Sequence, residues 1–208
     1  MKLFYFDVYG RGEPLRMILS YSKTPYEDIR LTHEEFQKMK AEGKFTYGQV
    51  PALEMDGEIY VQSNSLLRMV GKKTGMYPED ANAACAVDGV LDALYDMGKK
   101  MEQSMLKSTR DEMIKAAVDC INGPMKELLK IFDSMIGMNG NWHLVGDKMS
   151  IADISFGSFC FNALLNEKGP YYDQYSKLLE GNENLAKFIE GFKTELAEYL
   201  ASRPKNMF

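Results

Sequence analysis

A phenol and a guanidinium stand close together near the start of the chain, in Tyr5-Phe6 and in the Gly10-Arg11-Gly12 that follows. A tyrosine hydroxyl can donate a hydrogen bond to an anion while staying neutral, and an arginine adds positive field without changing its charge state. A second cluster is Gln49-Val50-Pro51, where an X-Pro bond just before an apolar run leaves the Val50 backbone able to pair with something other than a sheet. A third is Gln62-Ser63, an amide and a hydroxyl at the predicted start of a helix, which is a natural seat for a carboxylate. Singly, each is ordinary structure: a tyrosine at a sheet edge, a Val-Pro turn, a serine cap. Together they suit a peptide-like anion.

The elements that must position these groups follow from periodicity. Leu3 to Phe6 reads as a strand, and Glu13 to about Ser22 as a helix with Leu15, Ile18 and Leu19 at core spacing and Pro14 in its first turn. Tyr26 to Leu31 is a second strand and His33 to Ala41 a short helix ending before Gly43. Ala52 to Met55 and Glu58 to Val61 flank Asp56-Gly57, the signature of a type I′ hairpin. Ser63 is expected to cap a helix carrying Leu66, Leu67, Met69 and Val70. The order βαβαββα requires a crossover between the first two strands and a tight turn between the last two, which gives a four-stranded mixed sheet of thioredoxin-like kind.

From residue 78 the β-like runs vanish, so the chain divides into an α/β domain over 1–77 and an all-helical domain over 78–208. Val87, Val90, Leu91, Leu94, Met97, Met101 and Met105 form a stripe at helical spacing, in most cases the mark of ordinary core and interface packing rather than of a specialised methionine-rich face. A long helix is predicted from about Thr109 to Met135 with a kink at Gly123-Pro124, and Ser150 with Asp153 opens another. Further helical stretches run up to Leu200.

Composition narrows the partners. The 208 residues are 45% hydrophobic and 26% charged, enough to bury a core without disulfide or metal staples. A net charge of -5 argues against nucleic acid and anionic lipid as the main partner. The charge is uneven: 11 basic side chains face 10 acidic ones over 1–77, so an anionic ligand prefers the first domain. Cys85, Cys120 and Cys160 are odd in number and show no CxxC spacing, the pattern of free thiols in a reducing compartment. The start MKLFYFD meets Asp7 before an apolar signal region could form, and no apolar run approaches a membrane span, so a cytoplasmic protein without a membrane span is expected. With His33 and His143 as the two histidines, a metal site or a histidine triad has almost no raw material, and Gly10-Arg11-Gly12 is too short for a dinucleotide loop.

In LFYFDVYGRGEPLRMIL, YGQVPALEMDGEIYVQSNSLLRMV and LVGDKMSIADISF the chain resembles the cytosolic glutathione transferases of tyrosine type, the alpha, mu, pi and sigma classes, over essentially its whole length. The resemblance implies a thioredoxin-like first domain that holds glutathione, a helical second domain that builds most of the electrophile pocket, a homodimer, and glutathione as co-substrate with no separate cofactor. It implies Tyr5 as the catalytic tyrosine and Arg11 as the arginine that supports the thiolate. Lys40 falls near the glycine carboxylate of glutathione, Gln49, Val50 and Pro51 match the loop that pairs with its cysteinyl part, and Gln62 and Ser63 hold the γ-glutamyl carboxylate. Asp96 matches an acid that reaches the γ-glutamyl amine in the neighbouring subunit, and Tyr9, Met101, Met105 and the C-terminal tail line the electrophile pocket. Thr46-Tyr47-Gly48 replaces the common proline-phenylalanine-glycine step, and Tyr47 either inserts into a partner subunit or packs within its own domain.

Three functions fit these expectations. The first is conjugation of glutathione to small electrophiles in detoxification. Isomerisation or peroxide reduction through the same thiolate is the second. The third is a non-catalytic scaffold or ligand-binding protein, against which retention of Tyr5, Arg11, Gln49 and the Gln62-Ser63 pair weighs.

Overall fold

A computed structural model describes residues 1–206. Its contacts divide the chain into two units, one of Met1–Tyr77 joined by the segment from Glu195 onward, the other Pro78–Thr194. The segment from Glu195 onward, expected with the helical residues 78–208, packs with the α/β unit. The reason is chemical: it carries the partners of side chains in the first helix.

The first unit is a four-stranded sheet in the order β2-β1-β3-β4, formed by β1 (Lys2–Phe6), β2 (Glu27–Leu31), β3 (Ala52–Met55) and β4 (Glu58–Val61). β1 pairs in parallel with β2 and antiparallel with β3, which pairs antiparallel with β4. Helix α1 (Glu13–Tyr21) is the crossover between β1 and β2, α2 (His33–Ala41) leads towards β3, and α3 (Ser63–Thr74) follows β4. Alternation along β1 sorts its side chains between two layers. Phe4 joins Leu31, Phe45 and Ala52 in a cluster against which Phe36 and Met39 of α2 pack. Leu3 and Tyr5 are buried on the opposite face. The hairpin has the left-handed backbone expected of its turn, with φ 54° at Asp56 and 85° at Gly57. Thr32 and Glu35 close a capping box that fixes where α2 begins.

The start of α3 departs from expectation. Gln62 occupies the cap position with φ 79°, and Ser63 is the first residue inside the helix. A non-glycine residue held at positive φ is a strained position.

The second unit is helical: α4 (Ala81–Ser104), α5 (Arg110–Cys120), α6 (Lys126–Asn139), α7 (Ile151–Phe159), α8 (Tyr172–Ser176) and most of α9 (Glu183–Glu195). The expected kinked helix is two helices joined by a widened turn over Ile121–Met125 that contains Pro124, and the second runs on to Asn139. Proline cannot supply the backbone N–H of a regular turn, and a π turn accommodates the loss. Of the α4 stripe, Val87, Val90, Leu91 and Met97 are buried, whereas Met101 is half-buried and Met105 lies beyond the last turn and is exposed. Asp153, wholly buried, accepts from the Leu144 and Ser150 amides at 2.8 Å each and from the Ser150 hydroxyl at 3.0 Å. A short helix, α10 (Ala197–Ser202), closes the described chain within the first unit. No helix among the described residues is long and apolar enough to cross a membrane.

Candidate functional site

The sheet register gathers the three sequence clusters at one end. Phe4 pairs with Ala52 and Ala52 with Val61, so extending both ladders by one residue places Tyr5, Pro51 and Gln62 at one level. With strands about 4.8 Å apart, these three positions span about 10 Å, the length of an extended tripeptide. Val50-Pro51 is a cis peptide just outside β3. Gln49 is exposed, Val50 half-buried and Pro51 buried. Gln62 is exposed and Ser63 half-buried at the N-terminus of α3, where helix amides and the positive dipole end favour an anion.

Tyr5 sits at the C-terminal half of the central strand with its ring buried, and its hydroxyl oxygen accepts the Arg11 backbone N–H at 3.0 Å. A phenol oxygen that accepts a hydrogen bond keeps its own proton to donate, and donation is strengthened by the polarisation. Both glycines of Gly10-Arg11-Gly12 are required by this ring. A Cβ at Gly12 would overlap Tyr5 Cδ1, and one at Gly10, where φ is +41°, would lie 2.6 Å from the hydroxyl. The Arg11 residue is exposed, and its backbone N–H makes this hydrogen bond to Tyr5.

Lys40, exposed near the end of α2, lies against the loop before Val50: a Cβ at Gly48 would come within 2.9 Å of its Cε carbon. Tyr47 is 65% exposed, so its ring is not packed into its own unit. Tyr9, expected with the C-terminal tail at the electrophile pocket, is held by that tail. It is buried, its hydroxyl donates to the Pro204 carbonyl at 2.9 Å and accepts the Asn206 amide at 3.1 Å, and both polar capacities are used by the C-terminal segment. Asp96 is exposed on α4, in the second unit with Met101 and Met105.

Sequence reasoning missed what supports the tyrosine. Arg16 is wholly buried, with its guanidinium carbon 5.7 Å from the Tyr5 ring centroid. It donates to the carbonyls of Phe6 at 3.0 Å and Val8 at 2.8 Å, fixing the chain between β1 and the glycine turn. Its Nε meets both oxygens of Asp28 at 3.1 Å, and a terminal nitrogen lies 3.4 Å from Glu13. Arg30 pairs with Asp28 at 2.9 Å and with Asp7, whose carboxyl is held below its ordinary range by that guanidinium. Tyr26 beside this network is pushed up to about 12 by burial and by Asp28. The available signal was Glu13 and Arg16 three residues apart on a helix otherwise apolar on its inner face.

A four-stranded mixed sheet with a parallel crossover between its first two strands, followed by a helical unit, defines a thioredoxin-like domain with an all-helical companion. The family model "Glutathione S-transferase, C-terminal domain" matches residues 95–203. The chain is 30% identical over 206 residues to a glutathione S-transferase of Anopheles gambiae, covering 98% of this chain and 96% of that one. It is also 30% identical over 204 residues to hematopoietic prostaglandin D synthase of Gallus gallus, covering 98% and 96%. The solved structure of prostaglandin synthase D of Nilaparvata lugens superposes with a TM-score of 0.83 at 27% identity, covering 98% of each chain. The chain belongs to the glutathione transferase family of enzymes.

Proposed function

We propose that the chain binds glutathione along the sheet end formed by Tyr5, Pro51 and Gln62 and activates its thiol for transfer to small hydrophobic electrophiles. The observation that carries this is the Tyr5 hydroxyl, fixed by the Arg11 amide at 3.0 Å on a buried ring at the C-terminal end of the central strand. An ordinary thiol with pKa near 8.5 is only about a few per cent ionised at neutral pH, and the thiolate is the nucleophile. Depressing that value by two units needs about 2.7 kcal/mol, within the range of one charge-assisted hydrogen bond supplemented by nearby positive charge. Tyr5 supplies the bond and Arg11 the field. The thiolate then attacks the electrophilic carbon, a C–S bond forms, and the leaving group departs with its electron pair.

The backbone of Val50 pairs with the cysteinyl part of the tripeptide, with Gln49 and Pro51 shaping the loop. Gln62 and Ser63 receive the γ-glutamyl carboxylate at the α3 N-terminus, and Lys40 stands near the glycine carboxylate. Asp96 serves the γ-glutamyl amine bound in a partner subunit of a homodimer, Tyr47 being exposed for insertion into that partner. Met101 and Met105 contribute to the electrophile pocket. The setting is a cytoplasmic detoxifying enzyme with glutathione as its co-substrate and no metal. Tyr5→Phe is expected to lower conjugating turnover at least tens-fold while glutathione affinity stays within a few-fold. Unchanged turnover removes Tyr5 from the role.

A second activity on the same site is glutathione-dependent isomerisation, favoured by the similarity to two prostaglandin D synthases. Assay of both reactions with one preparation separates them.

A further inference from the structure

The turn that carries Arg11 is short and closed, since the Glu13 amide donates back to the Tyr9 carbonyl at 3.0 Å. Both ends of this turn are held by the C-terminal segment of the same unit. At one end, Arg203 donates to Glu13 at 2.8 Å and Tyr199 donates to the same carboxylate oxygen at 2.8 Å. Glu13 is 1% exposed, so this carboxylate has no water to replace a lost partner. At the other end, the Tyr9 hydroxyl is bound to Pro204 and Asn206, and the Arg203 guanidinium stacks 4.1 Å from the Tyr9 ring centroid. The Asn206 side chain reaches the Asp7 carbonyl at 3.3 Å, in the same connection.

We propose that Arg203 is a positioning residue for the reaction: through Glu13, and together with the Tyr9 hydroxyl, it holds the Tyr9–Glu13 turn so that the Arg11 amide meets the Tyr5 hydroxyl. The proposal rests on the assignment of Tyr5 to thiol activation. Geometry and charge act in the same direction. Three carboxylates, Asp7, Glu13 and Asp28, are linked with three guanidinium groups, Arg16, Arg30 and Arg203. Tyr199 and Tyr26, the phenols beside them, are both raised by burial and stay neutral. Removing Arg203 leaves an excess carboxylate in the network that includes Arg16, whose guanidinium lies 5.7 Å from the Tyr5 ring centroid, and added negative charge near a site disfavours a thiolate there. The freed turn also loosens the amide that orients the hydroxyl, so the sulfur loses both field and alignment. A hydrogen-bond donor that is displaced by even a fraction of an ångström contributes less to an anion it must stabilise.

The test uses the full chain with glutathione bound and reads the ultraviolet absorbance of the thiolate at neutral pH. Arg203→Gln is expected to reduce the thiolate fraction about three- to tenfold and to move the pH profile of kcat/KM towards alkaline pH. The glutathione KM is expected to stay within about twofold, because the carboxylate and ring that Arg203 holds, Glu13 and Tyr9, are not among the proposed glutathione-binding groups. Arg203→Lys restores the charge and recovers part of the thiolate, which a purely structural defect does not. Tyr9→Phe, which removes one oxygen atom from the other end of the latch, changes the fraction in the same direction by a smaller factor, and it decides the matter if Arg203→Gln fails to fold. Wild-type thiolate fractions in the folded variants overturn the proposal. Tyr5→Phe is the control: if it leaves the thiolate unchanged, the assignment of Tyr5 falls and the proposal with it. A change in Tyr5→Phe without one in Arg203→Gln and Tyr9→Phe overturns the latch alone.

Discussion

Gly12 lies so close to the Tyr5 ring that a single added Cβ would overlap Tyr5 Cγ and Cδ1. The backbone there has φ -83°, which any residue adopts, so the requirement for glycine comes from the phenol and not from the turn. Gly43 is the converse, with φ +73° and open space around it.

Gly12→Ala is therefore expected to displace the Tyr5 ring, cost about 1 to 3 kcal/mol through overpacking, and lower turnover along with stability. Gly43→Ala strains the backbone and lowers stability while leaving turnover unchanged. Chemical denaturation and turnover measured on both variants check the pair. Equal effects on turnover would remove the special relation between Gly12 and Tyr5.

Asp153 answers for two buried amides and a buried hydroxyl at once, all in the second unit. Asp153→Ala leaves these donors without an acceptor, and each unsatisfied buried group costs about 1 to 3 kcal/mol. A loss of at least about 3 kcal/mol is expected, measured as a lower denaturation midpoint. Ser150→Ala removes one donor and keeps the acid, and is expected to cost far less.

Acid dependence follows from Asp7. Its carboxyl titrates below the ordinary value of 3.8, chiefly through the hydrogen bond from Arg30, so its contribution is present above that pH and is lost as pH falls through the depressed value. Because the side chain is largely exposed, the contribution at neutral pH is at most about 1 kcal/mol. Asp7→Asn is expected to be slightly less stable than the parent at pH 6 and to converge with it below pH 3.8. Stability curves that run parallel down to strong acid would show that the Asp7–Arg30 pair contributes nothing.

The sheet was legible in the sequence because each of its signals is local. Asp56-Gly57 names its own turn, Pro51 bars a longer third strand, and the alternation through Leu3, Phe4 and Tyr5 sets which face each residue meets. The family resemblance implied roles for Gln49, Gln62 and Ser63, and the register brings Pro51 and Gln62 level with Tyr5. What the sequence concealed is non-local or inverted in type. Nothing near Arg203 announces that it meets Glu13 across 190 positions, and nothing near Tyr9 announces that its hydroxyl is bound to the tail. Buried charges such as Arg16 are missed because composition assigns arginine to the surface, and only a complete set of partners makes its burial tolerable. The cap of α3 was misplaced by one residue because positive φ at a glutamine has no sequence signature.

The central claim concerns the sulfur of glutathione and the hydroxyl of Tyr5. Titration of the bound thiol by its ultraviolet absorbance, in the parent chain and in Tyr5→Phe, addresses it directly. The parent is predicted to ionise its bound glutathione about two pH units below the free thiol, and Tyr5→Phe to bring that value most of the way back while the tripeptide remains bound. Superimposable titration curves for the two proteins would contradict the account.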